Sequence, residues 1–527
     1  MKKAILLMAV LSMAISILSG CGGSKKEFTD DPSAEVTLRW VIPFSKQADF
    51  NKVEKEINEL LPTLLPNTKL ELVLDPSMGD KWALWMSGKT SFDLAHSGYA
   101  NDLQAEIMKN SFLSLNELVE QYAPTVKSEM NGLYSTIYLT GMNKEKLYAI
   151  PNIQYHVHET AIIKLSKNLE PYFDVNGIVS AGYASPKATE ALYKLLDDGI
   201  TKANEAAVTQ GKTKVNIDIS RLYDRIAKRG YIFIGGNGSN LCYDPYADTV
   251  TVVDFYQTEE FKIHIKYAKK WYANGNIAKD ILTGEFGDVS GGEIVPVSGS
   301  RINMNESSVW TGTIDNKEEL HISIDKSGND ILGAHDIGSL ATYTSIPFTA
   351  KNPARAMQLL ELLRTEKGQP LLNMITYGLE GEKGEDGKHY KKVSDAEIET
   401  FDYVGQGTSG SKYGIPNWLV GNMFNQYICN PPYSKETVNY GKNYYENYLP
   451  KVKQTALTGF CFDVQSVKSQ MAQILSVDKE FEPQLAYGVL SDYQATYDTL
   501  LSRNQTAGID AVIKEFQKQA NDYIAKK

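Results

Sequence analysis

The chain is poor in cysteine and lacks the short motifs of the common nucleotide-dependent and hydrolytic enzymes. Four cysteines in 527 residues exclude a disulfide-built scaffold, and the absence of any C-x-x-C pair argues against a zinc ribbon or a thioredoxin-like site. The sequence has neither a G-x-x-x-x-G-K-[ST] phosphate loop nor a G-x-S-x-G nucleophile turn. We therefore expect a protein that is not an enzyme and needs no cofactor.

Positive charge is also scarce. Lys and Arg number 54 against 64 Asp and Glu, which gives a net charge of −10. A chain this acidic has no overall basic surface for nucleic acid. Its 42% hydrophobic and 22% charged residues are typical of a folded protein. Its length predicts about two to four domains.

The beginning of the chain predicts a lipid anchor. A basic start, Met1–Lys3, precedes the apolar run Ala4–Leu18, which is shorter than the about 20 residues of a membrane-spanning helix. Leu18–Cys21 resembles a bacterial lipobox, in which the cysteine becomes the lipidated first residue of the mature protein. The alternative is an ordinary secretory signal in which Cys21 is incidental. Gly22–Ser33 is polar and aperiodic, which predicts a flexible tether.

Strands and helices alternate in the next part of the chain. Val36–Val41, Leu70–Leu74 and Phe92–Ala95 have the pattern of short strands. Apolar residues recur at helical spacing between Phe50 and Leu61. This order predicts an α/β domain with a mostly parallel sheet. Ligands of such sheets bind beyond the carboxyl ends of the strands, so we expect ligand contacts at that edge.

Four segments resemble the extracellular solute-binding lipoproteins of ABC importers, in the maltose- and oligosaccharide-binding family. Thr90–Tyr99 is similar to that family's Phe-Asp strand and rim loop, and Leu147–Asn152 to its crossing between lobes. Tyr343–Leu363 is similar to the returning strand and helix. Gly459–Gln519 looks like the domain of unknown function that ends LipO-type members. The resemblance implies an α/β, two-lobe periplasmic-binding-protein fold (type II-like), with hinge-linked lobes and a ligand cleft between them.

The resemblance also implies boundaries and partners. The expected segments are a lipoprotein signal peptide (1–20), a tether (21–34), the first lobe (35–150 and 340–390) and the second lobe (151–339 and 391–527), which ends in the LipO-type region. The implied partners are a carbohydrate ligand, the cognate permease subunits and, through the lipid on Cys21, the outward face of the cell membrane. We expect a monomer that binds no nucleic acid.

Aromatic and polar side chains at the expected rim are the candidate ligand contacts. An aromatic face covers the C–H face of a sugar ring, while Asn, Asp and His hydrogen-bond its hydroxyl groups. In the implied fold, the ligand-binding candidates are Trp40, Asp93, His96, Tyr99, Asn152, Tyr155, Trp310, Tyr343, Asn417 and Trp418. The last two are expected to open a helix over Leu419–Tyr427.

Two other chemical patterns are weaker. His156 and His158 would lie on one face of a strand, as metal ligands do, but Ile162 stands where the zincin pattern needs a histidine. We therefore predict no metal site there. Paired carboxylates such as Asp197–Asp198 are neighbours on a predicted helix, where they do not face each other, so we interpret them as surface residues rather than a catalytic pair.

These patterns predict a membrane-anchored, extracellular solute-binding protein. It would deliver a carbohydrate, an oligosaccharide, to an ABC permease by closing its cleft around the ligand. The main alternative is a lipoprotein for peptides or other small solutes, which predicts charged groups in the cleft. A secreted glycosidase is a third interpretation, and it predicts turnover of the sugar.

Overall fold

In the computed structural model of the chain, the described residues are 28–98, 100–155, 161–235, 239–283, 294–295, 297–298, 313–315, 319–324, 342–401, 412–430, 433–451, 454–490 and 492–527. The predictions for Cys21, Tyr99, Trp310 and the His156–His158 pair lie outside these residues. Within them, no helix is both long enough and apolar enough to cross a membrane.

The strands of the described residues are mostly short. They are β1 (Val36–Ile42), β2 (Thr68–Leu74), β3 (Leu94–Gly98), β4 (Met142–Asn143), β5 (Lys146–Leu147), β6 (Ala149–Pro151), β7 (Ile162–Ser166), β8 (Asn216–Ile217), β9 (Ile232–Phe233), β10 (Leu241–Tyr243), β11 (Val252–Asp254), β12 (Ile294–Val295), β13 (Val297–Ser298), β14 (Thr313–Asp315), β15 (Glu319–Ser323), β16 (Thr342–Ser345), β17 (Tyr390–Lys392), β18 (Glu397–Thr400) and β19 (Ile428–Cys429).

The helices contribute most of the regular structure. They are α1 (Phe50–Leu64), α2 (Met78–Ser87), α3 (Leu103–Met108), α4 (Asn116–Tyr122), α5 (Pro124–Asn131), α6 (Ser135–Tyr138), α7 (Val175–Ala184), α8 (Glu190–Thr209), α9 (Ile219–Leu222), α10 (Glu259–Ala273), α11 (Pro353–Leu362), α12 (Gln369–Tyr377), α13 (Lys435–Asn443), α14 (Lys468–Ala486), α15 (Tyr493–Ala507) and α16 (Ile509–Ile524).

The first lobe is built on a five-stranded sheet with the order β2-β1-β3-β16-β6. β1 pairs in parallel with β2 and β3. β16 runs antiparallel to both of its neighbours, β3 and β6. The predicted parallel sheet is therefore confirmed for the first three strands, while β16, which joins the sheet from much later in the chain, enters in the opposite direction.

Helices cover both faces of this sheet because successive strand residues point to opposite sides. α1 buries one apolar stripe, which consists of Phe50, Val53, Ile57 and Leu61. Those residues share a core with Trp40 of β1. The next strand residue, Val41, packs on the other face with Trp82 of α2. The predicted α/β layers thus follow from the helical spacing of the apolar residues in α1 and from the alternation of side chains along β1.

The second lobe contains a four-stranded antiparallel sheet with the order β13-β7-β15-β14. α8 and α10 pack beside it, where the rings of Tyr193 and Trp271 stack with centroids 6.0 Å apart. The indole N–H of Trp271 donates to the carboxylate of Asp197 at 3.0 Å. Asp197 is only 7% exposed. The prediction that it is a surface residue is therefore wrong, because the carboxylate has a buried donor.

The C-terminal helices α14, α15 and α16 cover the small sheet β11-β10-β9. β11 is an edge strand, and the Gln517 side chain of α16 pairs with its backbone as another strand would. The Gln517 amide oxygen accepts from the Val252 N–H at 2.9 Å, and its amide nitrogen donates to the Val250 carbonyl at 2.9 Å. These two hydrogen bonds satisfy backbone groups beside the strand edge that could otherwise pair with another strand.

Two predictions beyond residue 390 need correction. Tyr413, Ile415 and Val420 belong to the first-lobe core, so the segment assigned to the second lobe from residue 391 includes residues that pack with the first. The predicted helix Leu419–Tyr427 is wrong. The chain forms two single turns there, separated by Gly421, whose φ of 68° lies in the left-handed region that ends a helix.

The three cysteines of the described residues are buried. They are Cys242, Cys429 and Cys461. Burial raises the pKa of the Cys461 thiol to about 12, so it carries no thiolate at neutral pH.

A buried carboxyl group joins two of the C-terminal helices. Asp478 of α14 is 1% exposed and accepts a hydrogen bond from the Asn504 amide of α15 at 2.9 Å. Burial raises the pKa of Asp478 to about 8, because the charged form loses its hydration there. The folded protein therefore holds a proton on this carboxyl group that the unfolded chain releases near pH 3.8.

We expect the Asp478→Asn protein to lose one component of the pH dependence of unfolding. Since the pKa is raised in the folded state, the stability that the bound proton provides is complete below pH 3.8 and is lost as pH rises to about 8. The variant should therefore gain stability relative to wild type with rising pH, and be the more stable protein at pH 9. Denaturant titrations across this range measure the difference. Asp498→Asn, which changes an exposed carboxylate of α15, is the control; equal pH profiles for all three proteins would contradict the account.

Candidate functional site

Four first-lobe strands end or begin at one edge of the sheet. β1 ends at Ile42 and β3 at Gly98, while antiparallel β16 begins at Thr342, opposite Gly98. β6 ends at Pro151, opposite the second residue of β16. This edge is where a parallel α/β sheet binds ligands. It is also where the chain leaves the first lobe, since β6 is followed by the segment that leads to β7 of the second lobe.

The crossing segment is held on both sides by backbone hydrogen bonds. The Asn152 N–H donates to the Thr342 carbonyl at 2.9 Å on one side. On the other side, Ile153 N–H donates to the Gly421 carbonyl and Met423 N–H donates to the Ile153 carbonyl, both at 2.9 Å. Residues 152–155 and 421–423 therefore form a ribbon, which we call the hinge ribbon. It places the two segments in fixed register.

Two of the predicted amide and tyrosine residues belong to this edge. The Asn152 amide nitrogen donates to the Leu419 carbonyl at 2.8 Å, and its oxygen accepts from the Thr344 hydroxyl at 3.3 Å. The Tyr343 hydroxyl donates to the Thr140 hydroxyl at 2.8 Å. Both side chains are buried, at 1% and 4% exposure, and each is already hydrogen-bonded. Both side chains therefore pack within this edge of the sheet and hold the neighbouring segments in place.

Tyr155 is the centre of an aromatic cluster at the end of the hinge ribbon. Its hydroxyl donates to the Met423 carbonyl at 2.9 Å, across the ribbon. Its ring meets Phe424 and Tyr433 edge-on, with centroids at 5.0 and 5.3 Å. These are favourable geometries for aromatic pairs. Tyr155 therefore ties the two segments of the ribbon together through both its hydroxyl and its ring.

Trp418 is the one predicted residue of the described set that is not buried. Its turn, Asn417–Leu419, packs next to β16 and is fixed by Gln426, whose amide donates to the carbonyls of Asn417 and Val420 at 3.1 Å each. Trp418 packs partly against the first-lobe core and partly against the small cluster that contains Tyr155. A rigid backbone thus presents a half-buried indole beside the hinge.

His96 lies in the middle of β3 and is 1% exposed. Burial lowers the pKa of its imidazole to about 3, so the ring is neutral at physiological pH. The neighbouring Ser97 hydroxyl is paired with the Ser345 hydroxyl at 2.7 Å, which joins β3 to β16. The edge is therefore uncharged along these two strands.

Two predicted residues do not reach the edge. Asp93 precedes β3 and so lies at the amino end of the strand, opposite the expected rim. Its carboxylate accepts from the backbone N–H groups of Arg39, Lys351 and Asn352 at 3.1, 3.1 and 2.9 Å. Trp40 lies within β1 and fills the first-lobe core at 1% exposure. Placing these two residues at the rim is wrong, because their contacts tie elements of the lobe together.

The structure also adds residues that the sequence analysis missed. Gln154 donates to the Thr342 hydroxyl at 2.9 Å, and its carbonyl accepts from the Tyr445 hydroxyl at 2.8 Å. Tyr445 also packs edge-on against Tyr134, with centroids 4.9 Å apart. Between positions 440 and 448, tyrosines recur at spacings of three and four residues, as on one face of a helix, which was the available signal. Among the described residues, no group of His, Cys, Asp and Glu could hold a metal ion.

Comparisons with known proteins agree with this architecture. Residues 456–525 match DUF3502, a domain of unknown function. A Streptococcus pneumoniae protein named carbohydrate ABC transporter substrate-binding protein is 24% identical over 460 residues, 85% of this chain and 83% of the relative. The N-glycan transport solute-binding protein NgtS of Streptococcus pneumoniae has a TM-score of 0.70 at 20% identity, covering 93% of this chain and 100% of NgtS. The chain has the two-lobe fold of the solute-binding proteins of ABC importers.

The resemblance stated from the sequence is therefore confirmed. A human-milk-oligosaccharide-binding solute-binding protein from Bifidobacterium longum infantis shares the fold more distantly, with a TM-score of 0.56 at 13% identity over 93% of this chain and 99% of that protein. The hinge ribbon begins directly after β6, where the chain leaves the first-lobe sheet.

The Tyr155→Phe protein should be less stable and looser at the hinge ribbon. The Met423 carbonyl loses a buried donor, which costs about 1–3 kcal/mol of unfolding free energy. Hydrogen exchange should accelerate at the Ile153 and Met423 amides beyond what the lower global stability explains. Tyr413→Phe is a control, because that hydroxyl donates to the Ile375 carbonyl at 2.8 Å within the first-lobe core. Equal exchange at the ribbon in both variants would contradict the role given to Tyr155.

Proposed function

We propose that this protein is a lipid-anchored solute-binding protein that delivers an oligosaccharide to the permease of an ABC importer. The observation that carries the proposal is the half-buried Trp418 on a rigid turn beside the hinge ribbon, at an edge lined by neutral side chains. It rests also on the likeness, over 93% of the chain, to the fold of solved solute-binding proteins.

The chemistry of the edge suits a neutral, hydroxyl-rich ligand. An indole face can stack on the C–H face of a sugar ring, and amide and hydroxyl groups can bond its edge. Trp418 supplies the indole, while Asn417 on the same turn is buried at 5% exposure and supports the turn. Tyr99 and Trp310 remain predicted contacts.

The relatives indicate which sugars to try first. NgtS has been solved in complex with Man1GlcNAc and with Man5GlcNAc. FusA of Streptococcus pneumoniae has been solved with fructo-nystose, and its TM-score to this chain is 0.54 at 14% identity. We propose a glycan of mannose and N-acetylglucosamine as the ligand class, with fructo-oligosaccharides as the comparison.

The alternatives have less support. A peptide would need charged groups for its termini, yet Glu129 and Arg364, two charged side chains that bond the hinge ribbon and the residue before it, pair with each other. A glycosidase would need two carboxyl groups facing a bound sugar. Of the carboxylates near the sheet, Asp93 and Glu129 are both engaged by several donors, so neither is available as a general acid.

Transport would follow from closure of the cleft. A glycan that contacts both lobes binds the closed form better than the open form, and so shifts the population toward it. The permease would then recognise the closed form. The energy would come from a separate ATPase, in keeping with the lack of a phosphate loop in this sequence.

The lipid anchor has its own test. Cys21, at the end of the lipobox-like Leu18–Cys21, would carry the lipid, and the chain would face the outside of the cell. We expect the wild-type protein in the membrane fraction of a bacterial host and the Cys21→Ser protein in the medium. Membrane retention of both proteins would contradict lipidation at this residue.

Calorimetry with a glycan panel tests the ligand class. We expect one-to-one binding of a mannose and N-acetylglucosamine glycan, recovered uncleaved after the titration. The Trp418→Ala protein should bind it about tenfold more weakly, equivalent to ~1.4 kcal/mol, because the stacking face is lost. Trp85→Ala is the matched control, since Trp85 is a half-buried tryptophan of the same lobe that pairs with Phe92 at the amino end of β3.

Three results would count against the proposal. Equal weakening in both tryptophan variants would remove Trp418 from the site. Recovery of shortened glycan would favour hydrolysis over transport. Binding of a peptide pool with no response to any sugar would replace the carbohydrate by a peptide as ligand.

A further inference from the structure

A buried ion pair lies directly against the hinge ribbon. The Arg364 guanidinium, just after α11, donates through Nη1 to the Glu129 carboxylate of α5. The two side chains are 2% and 10% exposed. Burial alone lowers the pKa of Arg364, but the adjacent carboxylate outweighs burial and raises it, so the guanidinium stays charged. A charge pair in this position is costly to form and must be held by further hydrogen bonds.

Each member of the pair holds a different segment of the hinge ribbon. Arg364 Nη2 donates to the Pro151 carbonyl at 2.6 Å, at the start of the first segment. The Asn422 amide, within the second segment, donates to Glu129 Oε1 at 3.0 Å. The Asn425 amide donates to the Arg364 carbonyl at 2.9 Å, just beyond that segment. The ion pair therefore connects the two segments of the hinge ribbon, through the Pro151 carbonyl that precedes the first segment and the Asn422 amide of the second.

The remaining donors fix the pair to the first lobe. The Tyr138 hydroxyl of α6 donates to Glu129 Oε2 at 2.8 Å. Because α5, α6 and the end of α11 all pack within the first lobe, the pair moves with that lobe.

We propose that Glu129 and Arg364 are positioning residues of the hinge: their ion pair fixes the direction in which the crossing segment 152–155 leaves the first lobe, and so sets the range of lobe angles that the cleft explores. Given the function proposed above, this range decides how much of the ligand's binding energy is used in closing the cleft. The pair itself touches no ligand.

The chain offers a matched control at the other end of α11. Arg355 is 1% exposed and donates through Nε to both oxygens of Asp30, at 3.1 and 3.0 Å. It also donates to the Asp31 carbonyl at 2.8 Å. This second buried pair holds residues that precede β1, and has no contact with the hinge ribbon. Disrupting the Arg355–Asp30 pair therefore shows the effect of losing a buried ion pair away from the hinge ribbon, and serves as the control for disrupting Glu129–Arg364.

Spin labels on the two lobes test the proposal without any ligand. Glu117→Cys on α4 and Lys202→Cys on α8 provide exposed sites, and the native cysteines of the described residues are buried. In the full chain, we expect Glu129→Gln to broaden the distribution of label distances about twofold, while Asp30→Asn leaves its width unchanged. Both changes should lower the unfolding midpoint. Equal widths in Glu129→Gln and Asp30→Asn would overturn the proposal.

Milder variants cover the case in which Glu129→Gln does not fold. Asn422→Ala removes one link between the pair and the ribbon while leaving the ion pair intact, and should broaden the distribution to a smaller extent. Arg364→Lys keeps the charge but loses the fork that bonds Glu129 and the Pro151 carbonyl together, so it should not restore the wild-type width. An unchanged width in both would contradict the proposal. Because these measurements use no sugar, they remain informative if the proposed ligand class is wrong.

Discussion

The hydrogen bonding of the hinge ribbon is the constraint on which the rest of the structure depends. A segment that crosses between two lobes leaves the sheet that satisfied its backbone, and its polar groups need other partners where it is buried. Here residues 421–423 supply those partners to the crossing segment through Gly421 and Met423, and β16 supplies one through the Thr342 carbonyl. The crossing segment can therefore be buried with its backbone groups satisfied.

The hydrogen bonds around the ribbon also position the side chains at the edge beside it. Gln154 and Tyr155 add side-chain hydrogen bonds to those of the ribbon backbone. Trp418 lies on a turn whose backbone is held by the Gln426 side chain. Neutral side chains line the edge. The charged side chains of Glu129 and Arg364 pair with each other and hydrogen-bond Asn422 and Pro151. In the function proposed above, structural support and ligand recognition would be provided by different residues.

The C-terminal region extends the second lobe and also reaches the first. Its helices cover the small sheet β11-β10-β9, with Gln517 closing the open strand edge. The Cys461 thiol contacts the Gln104 side chain of α3, and Gln454 donates to the Thr136 hydroxyl of α6 at 3.4 Å. Residues 454–461 therefore lie between the lobes. The region of unknown function is part of the architecture of the two lobes rather than an appendage.

Sequence periodicity was enough to predict the first lobe's early strands and helices, because β1, α1 and β2 are built from local patterns of apolar residues. It could not locate the edge. Asp93 lies within the predicted strand Phe92–Ala95, yet it precedes the observed strand β3, because the pattern shows that a strand exists but not where pairing begins. The helix expected over Leu419–Tyr427 failed because Gly421 takes a left-handed conformation and pairs with Ile153.

The residues at the hinge were harder still to predict. Glu129 and Arg364 lie 235 residues apart in sequence and meet only in the folded chain. Each has an ordinary place at the end of a helical pattern, so neither position has a local signal for a buried ion pair. The Leu419 partner of Asn152 and the Met423 partner of Tyr155 are also more than 260 residues away. Such contacts follow from the return of the chain to the first lobe, which composition and spacing do not reveal.

The central claim is that a glycan closes the cleft by bending the chain at the hinge ribbon. Small-angle X-ray scattering of the protein, alone and saturated with a mannose and N-acetylglucosamine glycan, tests this most directly. The account predicts a smaller radius of gyration in the saturated protein and a return to the starting value once the glycan is removed. An unchanged radius under conditions where calorimetry shows full occupancy would contradict it.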